Sequence, residues 1–592
     1  MIKSRAILKI LFLTPSPKGE GWGEAIKKQF LELPSKFFFT ALFSLTVAQL
    51  FSQGTYIPLN TDHYRIMDRM SVQYGKALPV FATSMKPYSR KLVAEYMQSL
   101  GKENIIGNKR FNADISYEYV ENSEWLQDTV IKSKRPLWKV IYPEPANMFA
   151  VNSKGFILKV NPVLHFQLGG QPNSEELKFT NTRGVELRGY IKKKIGFYTY
   201  FTDSQQKNMG YVQQAIVDDE AVPGEGYYKD GFKETGVDYF TARGYVVFNV
   251  LDCLDFSFGH DKHFWGNGIR SLYLSDYGNN YLFLKMQLNI WKISYTNLFT
   301  EMIGTYDRGA DQLLPKKYGA FHHLNINATH WLDIGLFEGV IFEREDGFEL
   351  QYLNPIIFYR AIEQSLGSPD NVLIGLDYKA NIARTLQLYG QFVFDEFNLG
   401  QIKAANGWWA NKIGIQTGMK YIDMFTIDHL DFQAEFNWAR PYTYSHNTIG
   451  TSYTHYNQAL AHPLGANFWE LIFKMNYQML PSLNARATVM YAVKGTDNPG
   501  ENWGGNIFLP NTDPTTGAFT IMQEYGNEVT QGVKQNIALF DLLISYELRH
   551  QLFFDFNMAV RSLTSEEPSQ NNTQSYFGVA MRVNIPYRGY WF

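Results

Sequence analysis

The chain has 592 residues, 45% of them apolar, 19% charged and 16% aromatic, with a net charge of −2. This composition excludes general disorder, and the near-neutral balance leaves no electrostatic footprint for a nucleic-acid partner. A single cysteine, Cys253, excludes an intramolecular disulfide and a thiolate-rich metal site.

Residues 1–53 read as a leader. Lys36 precedes the apolar run from Phe37 to Ala48, and Gln49 to Gln53 follows it. At about 15 residues the run is short for a spanning helix. Its basic flank and small residues near the end match a secretory signal cleaved between Ala48 and Gly54. The stretch upstream, including Pro15 to Glu24, fits neither a signal nor a domain and suggests a start codon assigned too early.

Residues 54–150 read as a small, partly helical periplasmic domain. Pro87 to Leu100 has helix chemistry: Ser89 is placed to cap, and Leu92, Val93, Tyr96 and Leu100 fall at helical spacing. Asp62 to Met70 is a weaker helix. Pro136 to Pro145 is expected to link this domain to residues 151–592.

From Phe156 onward the chain breaks into about eighteen strand segments, the pattern of an antiparallel transmembrane β-barrel. In Leu430 to Trp438, Leu430, Phe432, Ala434, Phe436 and Trp438 take one face, and Asp431, Gln433, Glu435 and Asn437 the other. The acids belong on a watery lumen side, because facing lipid is costly for them. Val185 to Ile191 and Leu552 to Arg561 alternate likewise. Gln574 to Phe592 reads as a closing strand, with Phe577, Val579, Met581, Val583 and Ile585 facing lipid and the aromatic Phe592 at its periplasmic end.

Connection lengths give an orientation. Links after even-numbered strands are short, such as Lys192-Lys193 and Asn381 to Thr385. Links after odd-numbered strands are mostly long, such as Asp203 to Asp238, His260 to Gly278 and Gly495 to Thr530. Outer-membrane barrels have short periplasmic turns and long extracellular loops, whereas a soluble sandwich has no reason to keep such parity.

Three motifs stand out: Gly259 to Gly268 with Ile269 to Asp276; Leu353-Asn-Pro355 with Ser368 to Asn371 and Leu376-Asp377; and Tyr389 to Phe392 with Asp395-Glu-Phe397. Their Trp-Gly-Asn-Gly, Leu-Tyr-Leu-Ser, Leu-Asn-Pro, Asp-Asn and Asp-Glu-Phe elements, in this order, resemble the Wzi family of capsule-assembly proteins, in particular its Bacteroidetes members. The resemblance runs from about Tyr56 to Phe592. It implies an eighteen-stranded outer-membrane barrel with a helical periplasmic segment, acting as a lectin that holds capsular polysaccharide. The sequence departs from the enterobacterial pattern: an Arg is expected soon after the opening Gly, where His260-Asp261-Lys262 stands.

Catalysis has little support. His260, Asp261 and His263 lack an evident third ligand for zinc, adjacent His322 and His323 point to opposite faces of a strand, and no Ser-His-Asp constellation stands out. No enzyme activity and no cofactor are expected. Sugar rings stack on aromatics and bond to amides, acids and Arg. The candidate contacts are therefore Trp265 with Asn267 and Arg270, Trp408 with Trp409, Tyr442 with Tyr444, and Trp503. The expected partners are capsular or other surface polysaccharide, outer-membrane lipid, and the barrel-assembly machinery during biogenesis. The expected location is the outer membrane of a Gram-negative cell. A porin-like channel and a scaffold for gliding motility or adhesion are the alternatives.

Overall fold

The computed structural model describes residues 54–592 except 76–81, 103–108, 127–131, 134–140, 307–311, 345–346 and positions 173, 234 and 252. The expected leader and signal at 1–53, and half of the expected linker at 136–145, lie outside the described residues.

Eighteen antiparallel strands close a barrel. The first nine are β1 Phe156–Gln171, β2 Ser174–Ile191, β3 Ile195–Lys207, β4 Gly236–Leu251, β5 Leu254–Asp261, β6 Tyr281–Ile290, β7 Ile293–Ile303, β8 Lys316–Asn327 and β9 Leu332–Phe342. The second nine are β10 Asn371–Ile382, β11 Leu386–Glu396, β12 Lys412–Tyr421, β13 Leu430–Ala439, β14 Phe468–Leu480, β15 Leu483–Thr496, β16 Val533–Arg549, β17 Leu552–Ser565 and β18 Asn572–Val583. Closure comes from β18 against β1, in register from Phe577 opposite Gly170 to Val583 opposite Leu164. Every ladder bond is then internal, which an apolar surrounding demands.

The parity of the links holds. Every even-numbered strand from β2 to β16 ends in a short turn, and the long segments 208–235, 262–280, 343–370, 397–411, 440–467 and 497–532 all follow odd-numbered strands. Lys192 and Lys193 have φ of 52° and 51°, and Ala383 and Arg384 of 51° and 59°. Two left-handed residues in succession twist a tight turn to match its strands. The alternation also holds where it was clearest. On β18, Phe577 and Val579 are 42% and 59% exposed, while Tyr576, Ala580 and Arg582 are buried inside. On β13, Asp431, Glu435 and Asn437 are buried on the inner face.

Among the described residues three helices precede the barrel: α1 Asp62–Gln73, α2 Arg90–Lys102 and α3 Lys109–Glu121. Ile66, Met67, Met70, Val93, Tyr96, Met97 and Leu100 form their common core. Ser89 stands just before α2, but its hydroxyl makes no hydrogen bond, so it does not cap through its side chain. The helices lie against the short-turn end. Arg69 reaches Asp423 at 2.9 Å and also Asp431, Lys420 reaches Asp68 at 2.7 Å, and His550 Nε2 reaches Glu121 at 2.7 Å. Burial opposes ionisation of Glu124, yet Lys159 and Arg188 hold its carboxyl down at about 2.

The closing segment corrects the sequence reading. The strand stops at Val583, not Phe592. Asn584 takes φ of 52°, and residues 584–592 turn inward. Tyr587 donates to Asp541 at 3.0 Å, Arg588 pairs with Glu225, and the Phe592 ring meets Tyr211 and Tyr277 inside the barrel. Pro586 has no N–H for a ladder, and Arg588 finds a buried carboxylate only inside. The edge thus vacated on β1 is covered by Phe149–Ser153, which pairs with Phe156 to Val160. No ladder edge of β1 is left bare there.

Candidate functional site: a plugged lumen under a loop cap

The segment 262–280 runs down into the lumen rather than over the rim. Phe264 and Trp265 pair antiparallel with Lys86 and Met85, which reach the lumen from the helical segment. Gly266 N–H donates to Ser84 O at 2.7 Å. Inward side chains of the wall hold this plug by its backbone. The Glu435 carboxylate accepts the N–H of Ile269 at 2.6 Å and of Arg270 at 3.0 Å. The Gln391 amide donates to Trp265 O and accepts from Leu272 N–H, both at 2.8 Å. A Cβ on Gly268 would stand 2.7 Å from the backbone oxygen of Arg270 as well as 2.5 Å from Glu435 Oε2, so glycine suits this approach. The Arg270 guanidinium reaches Glu470 at 2.8 Å, and His462 Nε2 shares that carboxylate at 2.8 Å.

Apolar packing then fills one side of the lumen. The Trp265 ring meets Phe321, His323 and Phe337 at centroid distances of 6.0 to 6.3 Å, and Tyr273 stacks on Phe337 at 4.2 Å. His323 Nε2 lies 2.7 Å from Asp377. The other side holds a polar cavity of about 670 Å3 bounded by the helices, the wall and residues 584–592. Burial opposes ionisation of Glu225 there, but Arg588, Lys262 and Arg243 hold it down at about 2; burial pushes Lys262 itself down to about 7.

Three long loops cap the opposite end. Trp409 is buried 5.7 Å from Tyr442 and 5.5 Å from Phe519, with Lys412 Nζ 5.4 Å from its ring centroid. Tyr442 donates to Asn502 O at 2.8 Å. Tyr444 donates from its hydroxyl to Leu272 O at 2.9 Å and from its N–H to Asp395 at 2.7 Å, tying cap to plug. Arg440 donates to Trp408 O and Asn527 O, joining two loops.

The sequence candidates therefore fall into two groups. Trp265, Asn267 and Arg270 come together in the plug, buried and engaged with protein partners; Asn267 accepts from Thr83 at 3.1 Å. Trp408, Trp409, Tyr442, Tyr444 and Trp503 lie in the cap. Of these, Trp409, Tyr442 and Tyr444 are buried, whereas Trp408 and Trp503 are half-exposed. Phe519 and Tyr525 are exposed beside them and carried no motif that would single them out. Gln391 stood in the Tyr389 to Phe392 motif without a role, and Glu435 was visible only as an inward position on an alternating strand.

Among the described residues, Asp423, Asp428 and His429 bring ligand atoms within 4.8 Å of one another. Arg69, Gln73 and Arg110 already donate to the two carboxylates, so the grouping serves as a dock for the helices. His263 is buried against Tyr281 and Phe283 and has no metal-like company.

No family model and no curated protein sequence matches the chain. Among solved structures it is similar to Wzi, an outer-membrane protein involved in group 1 capsule assembly in Escherichia coli and a carbohydrate-binding β-barrel. That likeness has 13% identity and a TM-score of 0.53, and covers 92% of this chain and 100% of that one. OprD of Pseudomonas aeruginosa matches at 12% identity and a TM-score of 0.38, over 73% of this chain and 96% of that one. OccK8 of the same organism matches at 9% identity and 0.40, over 72% and 97%. These last two likenesses are too slight to argue from. The fold is that of an outer-membrane β-barrel.

Proposed function

We propose that this is a non-catalytic outer-membrane protein that binds a surface polysaccharide at its long-loop end and takes part in capsule attachment or assembly. The observation that carries this reading is the filled lumen. The plug, residues 54–58 and 82–89, and the tail 584–592 all enter it, so one side of a barrel wide enough to conduct is packed with side chains and only the polar cavity is left on the other. The binding face is then the cap, where aromatic planes and amides stand together. The likeness to the carbohydrate-binding Wzi barrel supports the same reading. The long loops face outward from the cell, the helices lie in the periplasm, lipid surrounds the wall, and the barrel-assembly machinery inserts it after the leader is removed.

Trp408 and Trp503 are the proposed stacking residues, joined by Phe519 and Tyr525. Trp265, Arg270, Trp409, Tyr442 and Tyr444 support them from beneath. The test is binding of the purified protein to the host's own capsule. Trp408→Ala with Trp503→Ala should weaken binding about tenfold or more, since an aromatic contact contributes roughly 1 kcal/mol. No binding by the unaltered protein would sink the reading.

The polar cavity is what favours the second reading, a channel. Single-channel conductance in planar bilayers separates the two, because a clear open current contradicts a sealed lectin. The motility reading separates by a deletion strain that stops spreading and keeps its capsule.

A further inference from the structure

We infer that residues 347–366, between β9 and β10, are not part of the extracellular face but form a lipid-facing shield on the outside of the barrel wall. One row of outward positions across three adjacent strands is polar: Asn297 on β7 pairs with His322 on β8, which pairs with Glu338 on β9. Glu338 is six residues from the start of β9 at Leu332. At ~3.3 Å per residue and a strand tilt of ~40° the row stands roughly 15 Å above the short-turn rim, well inside an apolar band ~25 Å tall. The neighbouring outward residues Leu336, Ile374 and Leu376 are exposed and apolar, as that height requires.

The shield covers the row. Its short helix, α4 Tyr359–Ser365, presents the N–H groups of Tyr359 and Arg360 to Glu338 at 2.9 and 3.0 Å. Tyr295 donates to Pro355 O and lies 2.6 Å from His322 Nδ1, and the Tyr359 and His322 rings are 3.7 Å apart. At its base, Arg344 grips Asp370 with bonds of 2.8 and 2.7 Å, and Tyr352 donates to the same carboxylate at 2.7 Å. Tyr352, Tyr359 and Ile362 pack on outward Phe299, Ala320, Val340 and Val372.

What the shield turns away from the wall is largely apolar along 350–358, with Gln351 and Asn354 among it, and polar along the helix, where Arg360, Gln364 and Ser365 are exposed. Leu350, Ile356 and Phe358 are 72%, 86% and 76% exposed, and Leu353 and Ile357 accompany them. A large aliphatic and aromatic surface of this kind is unstable in water. It is continuous with exposed Leu336, Ile374 and Leu376, so one surface runs from wall to shield. The occupant it fits is the acyl-chain region of a bilayer. The polar row would be intolerable there if bare, and the shield covers it and presents Leu350, Leu353, Ile356, Ile357 and Phe358 outward, while the long Arg360 side chain can carry its charge toward the interface.

This inference rests on the proposal that the barrel sits in a membrane, and the test separates the two. In a Cys253→Ser background, single cysteines at Phe358 or Ile356 on the shield, Leu376 on the wall and Thr516 on a loop carry an environment-sensitive fluorophore. Each labelled protein is placed in phosphatidylcholine vesicles with brominated acyl chains, with retention of the heat-modifiable gel shift as the check of folding. The expected result is quenching at Phe358 and Ile356 comparable with that at Leu376 and several-fold stronger than at Thr516. Quenching at Leu376 but not on the shield overturns the inference and leaves membrane residence standing. No quenching at Leu376 overturns residence itself. Shield positions protected from lipid and cross-linked between two barrels overturn it in favour of a self-contact.

Discussion

Two segments leave the same end of the barrel and take opposite paths. The plug, 262–280, enters the lumen, and the shield, 347–366, folds down the outer wall; both settle against β8 and β9. Beneath the plug those strands present Phe321, Phe337 and Ile341 inward. Beneath the shield they present His322 and Glu338 outward. The usual rule of apolar outside and polar inside is thus reversed on one patch. It is reversed because protein covers both faces there, so neither meets lipid or water. The side-chain alternation of a barrel strand reports what covers each face, and lipid is only the commonest cover.

The largest effect should come from emptying the plug side. Trp265→Ala removes a side chain that is 1% exposed. Loss of so large a buried ring costs about 3–5 kcal/mol. The expected outcome is a lower thermal unfolding temperature in detergent and new proteolytic cleavage within 262–280. If the cleavage pattern and melting point are unchanged, the plug does not depend on that anchor and the comparison breaks.

A smaller effect should follow from pH, through the loop that braces the plug. His455 Nδ1 accepts the N–H of Ile303 at 3.0 Å while Nε2 donates to Asn280 O at 2.9 Å. Only the neutral ring can do both. Burial, with Lys317 nearby, pushes its pKa down to about 4, and burial with Lys412 does the same for His446. Unfolded, both groups take up a proton near pH 6.5; folded, they wait until about 4. Across that interval the unfolded chain binds more protons. Their contribution to stability is therefore complete above about pH 6.5 and is lost progressively as pH falls toward 4. Urea midpoints between pH 7.5 and 5 should decline, and His455→Gln should flatten that decline. An unchanged slope in the variant contradicts the assignment.

The smallest effect belongs to the shield side. Asn297 is fully buried and neither atom of its amide finds a partner. Asn297→Leu should be neutral or stabilising by about 1 kcal/mol, since it removes an uncompensated amide. A loss of more than about 1 kcal/mol in the melting analysis would show that the amide has a structural bond, and that the row is a network rather than a covered liability.

The wall was legible because its cover is uniform. Leu430 to Trp438 and Phe577 to Met581 alternate cleanly, with apolar side chains on the outer face and polar or small ones on the inner. The parity of turns and loops added the orientation. The cap was legible in part: Trp408 and Trp409 marked it, but adjacent residues in coil point apart, and nothing in the sequence says that Trp409 is the buried one. Tyr442 and Tyr444 have the composition of a sugar site and act as packing and backbone donors. The path of 584–592 was hidden for another reason. Aromatics at Tyr590, Trp591 and Phe592 suit a membrane interface as well as a lumen core, and Arg588 decides between them only through Glu225, which lies in a distant loop. The shield was hidden because Leu353-Asn-Pro355 reads as a loop motif wherever the loop goes.

The filling of the lumen also carries a cost in time. Wall hairpins join residues a few positions apart, whereas Arg588 meets Glu225 across 363 residues and His550 meets Glu121 across 429. Contacts of such span form slowly, because the chain between them has to be gathered first. Residues 54–121 are also synthesised long before the turns at 423–431 and 550–551 that receive them. The seam that closes the wall is of the same span, with Gln167 meeting Tyr576 across 409 residues, so closing the barrel and filling its lumen carry the same chain-gathering cost and both stand apart from the local hairpins.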